Sequence, residues 1–189
     1  MNHKDIPTIP EMISHSIDIF PERPALSFVD DTPLTYAGLG YRIEEVCHLL
    51  SSRGVGKGDK VAILSENMVN WGVAFFAIVK QGAIVVPILP DFHPNEISHI
   101  IRQADCKTIF ISEKQMERLL PERLPDVHAW ININSFTLFA PENGKSTLQQ
   151  IIEETSKGID KVKKGARRMA DRRAGKVHGD DIASIIYTS

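Results

Sequence analysis

Two five-residue runs, Lys60–Leu64 and Ile84–Ile88, hold almost nothing but apolar side chains, many of them β-branched. Strands of that composition are buried on both faces, as in a parallel sheet covered by helices. Between them, residues 67–81 place Trp71, Phe75, Ile78 and Val79 at helical spacing, so the stretch reads as one βαβ unit. The 71–90 stretch is also long and apolar enough to raise a membrane-spanning reading. Lys80 and Gln81 at its middle, and Pro87 near its end, argue for a helix followed by a buried strand.

The same alternation extends along the chain. Strand patterns fall at 25–29, 107–111, 129–133 and 182–187. Helical patterns fall at 9–20, 36–52 and 94–104; the second of these stops at Gly54, a residue suited to a helix end. Strands and helices alternating at short spacing predict an α/β fold: a doubly wound, mainly parallel sheet with flanking helices. Three parts are expected. Residues 1–133 form the α/β body. Residues 134–181 hold a loop, a long basic helical pattern at 147–174 and a turn-rich link. Residues 182–189 form a last strand. Gly158 and Gly165 each weaken the long helix by about 1 kcal/mol relative to Ala.

Charge and cysteine content narrow the setting. The net charge of -2 conceals a basic segment at 157–176, where nine Lys and Arg face only Asp160 and Asp171. A local basic element on an acidic body is expected, not a nucleic-acid binder. Two cysteines, Cys47 and Cys106, cannot build a disulfide framework, and residues 1–10 contain no apolar leader core. The expectation is a soluble cytoplasmic protein.

Several tempting motifs reduce to structural roles. The glycines of Gly54-Val55-Gly56-Lys57-Gly58-Asp59 follow a helix and precede a strand. A phosphate-cradling loop has the reverse order, so a cap and turn are expected. His3, His15, His48, His93, His99, His128 and His178 show no metal-ligand spacing. Cys47 and His48 are adjacent on a helix and point about 100° apart, so they do not face each other as nucleophile and base. The acidic doublets, such as Asp30-Asp31 and Glu153-Glu154, read as turns or solvated faces. No catalytic or metal-binding residue is assigned.

The end of the chain is more informative. Ile182-Ala183-Ser184-Ile185-Ile186-Tyr187-Thr188-Ser189 is an apolar strand delivering two hydroxyls at its carboxyl end, the edge where open α/β sheets bind ligands. Three further segments accompany it in order: Leu34-Thr35-Tyr36-Ala37-Gly38-Leu39, Gly56-Lys57-Gly58-Asp59-Lys60-Val61-Ala62-Ile63, and Val79-Lys80-Gln81-Gly82-Ala83-Ile84-Val85-Val86-Pro87-Ile88. Together they resemble the AMP-forming acyl-CoA synthetases of the adenylate-forming superfamily, from about residue 9 to residue 189. Gly38 stands where that family's first motif has Glu. The apolar wording around Asn70-Trp71-Gly72 is similar to the fatty-acyl branch.

The resemblance implies the N-terminal subdomain of a fatty acyl-CoA synthetase, which joins a fatty acid to ATP, releases pyrophosphate and passes the acyl group to coenzyme A. It implies Thr188 and Ser189 as nucleotide-contacting residues, with Tyr187 positioning them. It implies ATP, Mg²⁺ and coenzyme A as cofactors of the full enzyme, with none held tightly by these 189 residues, because the family's third motif, which Tyr187-Thr188-Ser189 begin, continues with glycines and a Lys that are not among them. The 189 residues alone are therefore expected to be inactive and to self-associate through the surface the remainder would cover. The other reading is a non-enzymatic α/β module acting through its basic segment. For that segment at 157–176 three readings stand: a solvated face, a contact for coenzyme A phosphates, or a peripheral anchor on anionic membrane.

Overall fold

The computed structural model describes residues 7–119, 124–139 and 175–187. Chain order gives α1 (Ile9–Ile19), β1 (Pro24–Leu26), β2 (Leu34–Thr35), α2 (Tyr36–Ser52), β3 (Lys60–Leu64) and α3 (Val69–Lys80). There follow β4 (Ile84–Ile88), α4 (Pro94–Gln103), β5 (Thr108–Ile111), α5 (Glu113–Arg118), β6 (Ala129–Asn132) and β7 (Thr137–Leu138). The main sheet has the order β4-β3-β5-β6-β7. Its first four strands are parallel, and β7 runs antiparallel to β6.

Each strand sends alternate residues to opposite faces, the period-2 consequence of the pleat. Val61 and Ile63 of β3, with Val85, Phe110 and Ile131, meet α1, α2 and α3 on one face. Ala62 and Leu64, with Val86, Ile109 and Ile111, meet Ile97, Ile100 and Ile101 of α4 on the other. The sheet is thus covered on both sides, which is why its strands read as continuous apolar runs. The doubly wound α/β expectation holds for this body.

Local chemistry sets the helix starts. Thr8 caps α1 and Glu11 returns a carboxylate to the Thr8 amide at 2.8 Å, while Pro10 occupies the first turn. Glu96 does the same for the His93 amide at 2.7 Å, ahead of Pro94 in α4. Thr35 caps α2 by accepting from the Gly38 amide at 3.2 Å, but Gly38 has no carboxylate to return.

Three local expectations need correction. The strand placed at 25–29 is only Pro24–Leu26, and it pairs with Leu34–Thr35 in a separate antiparallel hairpin instead of joining the main sheet. Phe28 and Val29 project outward, Val29 at 84% exposure, because Asp30 turns the chain with φ of 66°. The stretch from residue 134, read as a loop, contains β7. The segment 182–187 makes a single parallel bridge, Val85 to Ser184, and not a full strand. The whole of the long basic pattern at 147–174 lies outside the described residues.

Candidate functional site

In a parallel sheet with this order the chain crosses from β4 over β3 to β5, so the helices change face between β3 and β5. The crevice beyond the carboxyl ends of those strands is the natural ligand position. The final segment joins the same geometry. The Val85 amide donates to Ala183 O and the Ile185 amide to Val85 O, both at 2.9 Å, and Ser184 Oγ donates to Val85 O at 3.0 Å. The segment runs parallel to β4 at that bridge, and Tyr187 follows Ser184 by three residues. Its ring packs beside Ile185 against the α4 face of the core. Thr188 and Ser189 lie outside the described residues.

The carboxyl edge is knitted together by polar side chains from successive loops. Gln115, 1% exposed, donates from Nε2 to Glu66 Oε1 at 2.8 Å and accepts at Oε1 from Arg118 Nη1 at 2.8 Å. Arg118 also donates to the Phe92 carbonyl at 3.2 Å. One pair of side chains therefore ties the loops after β3, β4 and β5. The Gln115 bond holds the Glu66 carboxyl below its ordinary value, against a smaller opposing effect of burial. Asn132 donates to Glu113 at 2.9 Å, and Asn70 on α3 donates to the Ile133 and Asn134 carbonyls at 2.8 and 2.9 Å. No sequence motif announces this network. Its members are ordinary polar residues with no shared motif, and only the strand order brings them together.

The other candidates fall where structural roles require. Gly54 and Gly58 adopt φ of 82° and 83° and make the cap and turn between α2 and β3. Cys47 is buried and donates to Ala77 O at 3.5 Å, and burial pushes its thiol up to about 12. Burial does the same to Cys106. Neither thiol is a nucleophile in this fold. Among the described residues, no group of three or more His, Cys, Asp or Glu is placed to hold a metal ion. Cavities of about 210 and 270 Å³ open at the opposite, amino-end edge of the sheet, beside Gly82 and beside Lys60, away from Tyr187. Val73, Ala74, Ala77 and Ile78 of α3 are spent on the sheet core. Among the described residues, no helix is long and apolar enough to cross a membrane.

Residues 13–189 match the family described as AMP-binding enzyme. The chain belongs to the AMP-binding enzyme family. Its relatives within it include a medium/long-chain-fatty-acid–CoA/3-oxocholest-4-en-26-oate–CoA ligase of Mycobacterium marinum, 32% identical over 62% of this chain and 21% of the ligase. They also include the long-chain-fatty-acid–CoA ligase heimdall of Drosophila melanogaster, 27% identical over 96% of this chain and 28% of that protein. The fold matches the crystal structure of an anthranilate CoA ligase, AuaEII, in complex with anthranoyl-AMP. That match has a TM-score of 0.73 at 20% identity, over 100% of this chain and 33% of the ligase. The chain thus spans between a fifth and a third of the length of these AMP-binding enzymes.

Proposed function

We propose that this chain is the nucleotide-entry part of an AMP-forming acyl-CoA synthetase acting on fatty acids. The observation that carries the reading is the position of Tyr187. It follows a segment that bridges β4 in parallel at Val85 and heads toward the carboxyl edge of the sheet. Thr188 and Ser189 then supply the first hydroxyls toward the ATP phosphates. Adenylation brings a carboxylate against a triphosphate, two anions, so it needs preorganised donors and Mg²⁺ where charge develops. In this reading the segment bridged to β4 at Val85 leads toward the place where those donors are needed. Coenzyme A accepts the acyl group in the complete reaction. The fatty-acyl preference draws on relatives whose names carry that substrate.

Residues 1–189 alone are expected to catalyse no fatty-acid-dependent ATP–pyrophosphate exchange. Losing a single oxyanion donor costs about 3–4 kcal/mol of transition-state stabilisation, and residues 1–189 contain only the first residues of the family's phosphate-contacting motif. Exchange clearly above a no-enzyme control would overturn this reading. The exposed side chains of Ile182 and Ile186, at 60% and 73%, support self-association along this edge. A clean monomer in light scattering at high concentration would speak against it. For the basic segment at 157–176, binding to anionic vesicles that weakens steeply with salt would support membrane contact. Equal binding to neutral and anionic vesicles, or none, leaves a solvated helix.

A further inference from the structure

The hydrophobic pattern of the last segment does not choose its own register. Ile182, Ile185 and Ile186 occupy both phases of a period-2 alternation, so a slip of one residue would bury Ile186 and expose Ile185 and Tyr187. Backbone pairing to β4 amounts to two hydrogen bonds around Val85. Something else must hold the phase.

Lys57, in the turn before β3, reaches that segment from the amino edge. Its Nζ lies 2.6 Å from Asp181 Oδ2 and donates to the Lys176 carbonyl at 2.9 Å. Asp181 Oδ2 also accepts the His178 amide at 2.7 Å, so the carboxylate is fixed by its own turn. The lane for the Lys57 stem is kept open by two glycines. A Cβ on Gly175 would stand 2.8 Å from Lys57 Cδ, and one on Gly82 would stand 3.2 Å from Lys57 Cγ. Gly82 itself comes from the motif that enters β4, and its carbonyl accepts the Gly58 amide at 2.9 Å. Gly82, Gly175, Lys176 and Asp181 thus converge on one lysine side chain.

We propose that Lys57 and Asp181 form a positioning pair that sets the register of residues 182–187 on β4, and through it the placement of Tyr187 and the hydroxyls that follow. The link to nucleotide placement rests on the function proposed above; the register claim does not. The pair grips the segment one residue before Ile182, where a slip would have to begin. Being partly exposed, it contributes modestly to global stability, and its effect is local.

Backbone amide exchange on the full 189-residue chain tests this, with the Ile185 and Val85 amides as reporters and Ile63 of the central strand as control. Lys57→Met should speed exchange at Ile185 roughly two- to tenfold, the scale of a partly exposed ion pair with one added hydrogen bond, and leave Ile63 unchanged. Gly175→Val, which pushes the Lys57 stem out of its lane, should do the same. Combining Lys57→Asp with Asp181→Lys should restore part of the protection lost in either single variant. Unchanged exchange at Ile185, equal acceleration at Ile63, or a swap no better than its singles would each overturn the register role. None of these outcomes bears on whether the chain belongs to a nucleotide site, which the assay of catalysis decides separately.

Discussion

Gln115 and Glu66 meet at 2.8 Å across the crevice between β3 and β5, the place where the helices change face. Gln115 is almost wholly buried and its other amide atom takes Arg118. Replacing it by Ala removes both bonds and leaves a cavity, so a loss of about 2 kcal/mol is expected. Gln115→Met keeps most of the volume and should still lose about 1 kcal/mol, the hydrogen-bond share. Denaturant unfolding of both variants measures the difference; an unaffected Gln115→Met would assign the whole effect to packing.

Acid should loosen the same edge. Because the folded Glu66 carboxyl titrates below its ordinary value, its contribution is fully present above the unfolded-state pKa of about 4.3. That contribution is lost as pH falls through the folded value. Stability of the wild-type chain should therefore fall more steeply below that pH than stability of Glu66→Gln, which has no proton to take up. Parallel pH profiles for the two would remove this carboxylate from the account.

Cys47 and Cys106 should resist alkylation. Both thiols are buried and pushed up to about 12, so almost no thiolate exists at pH 8. Iodoacetamide at that pH should label neither in the native chain and both after unfolding. Rapid native labelling of either would contradict the packing described here.

Gly38 is a site where stability can be gained. It occupies the first turn of α2, which has no acidic residue there. Gly38→Glu should add about 1 kcal/mol from helix propensity and the helix dipole together. The opposing contact is Leu34 Cδ1, at 2.8 Å from the new Cβ, the far end of a side chain that can rotate. Thermal unfolding should shift upward; a lowered midpoint would mean that Leu34 cannot yield.

What the sequence made legible follows from burial. β3 and β4 were readable to the residue because both faces are covered and every position but Lys60 is apolar, and α2 because its stripe and its stop at Gly54 agree. The hairpin of β1 and β2, the six-residue α5 and the two-residue β7 were not, since two to six residues carry too little periodicity to distinguish strand from turn. Gln115, Glu66 and Arg118 were not legible, because a hydrogen bond between loops depends on strand order, and strand order is absent from any local pattern. The Lys57 contact with Asp181 was hidden for the same reason.

The central claim is that these residues form the nucleotide-entry part of an acyl-CoA synthetase. The most direct measurement replaces the corresponding first part of the Mycobacterium marinum ligase with residues 1–189 and follows fatty-acid-dependent ATP–pyrophosphate exchange, with residues 1–189 alone in parallel. The account predicts exchange by the folded chimera, its loss when Thr188 and Ser189 are both changed to Ala, and none by the 189 residues alone. A folded chimera that is silent, or exchange by the 189 residues alone, would contradict it.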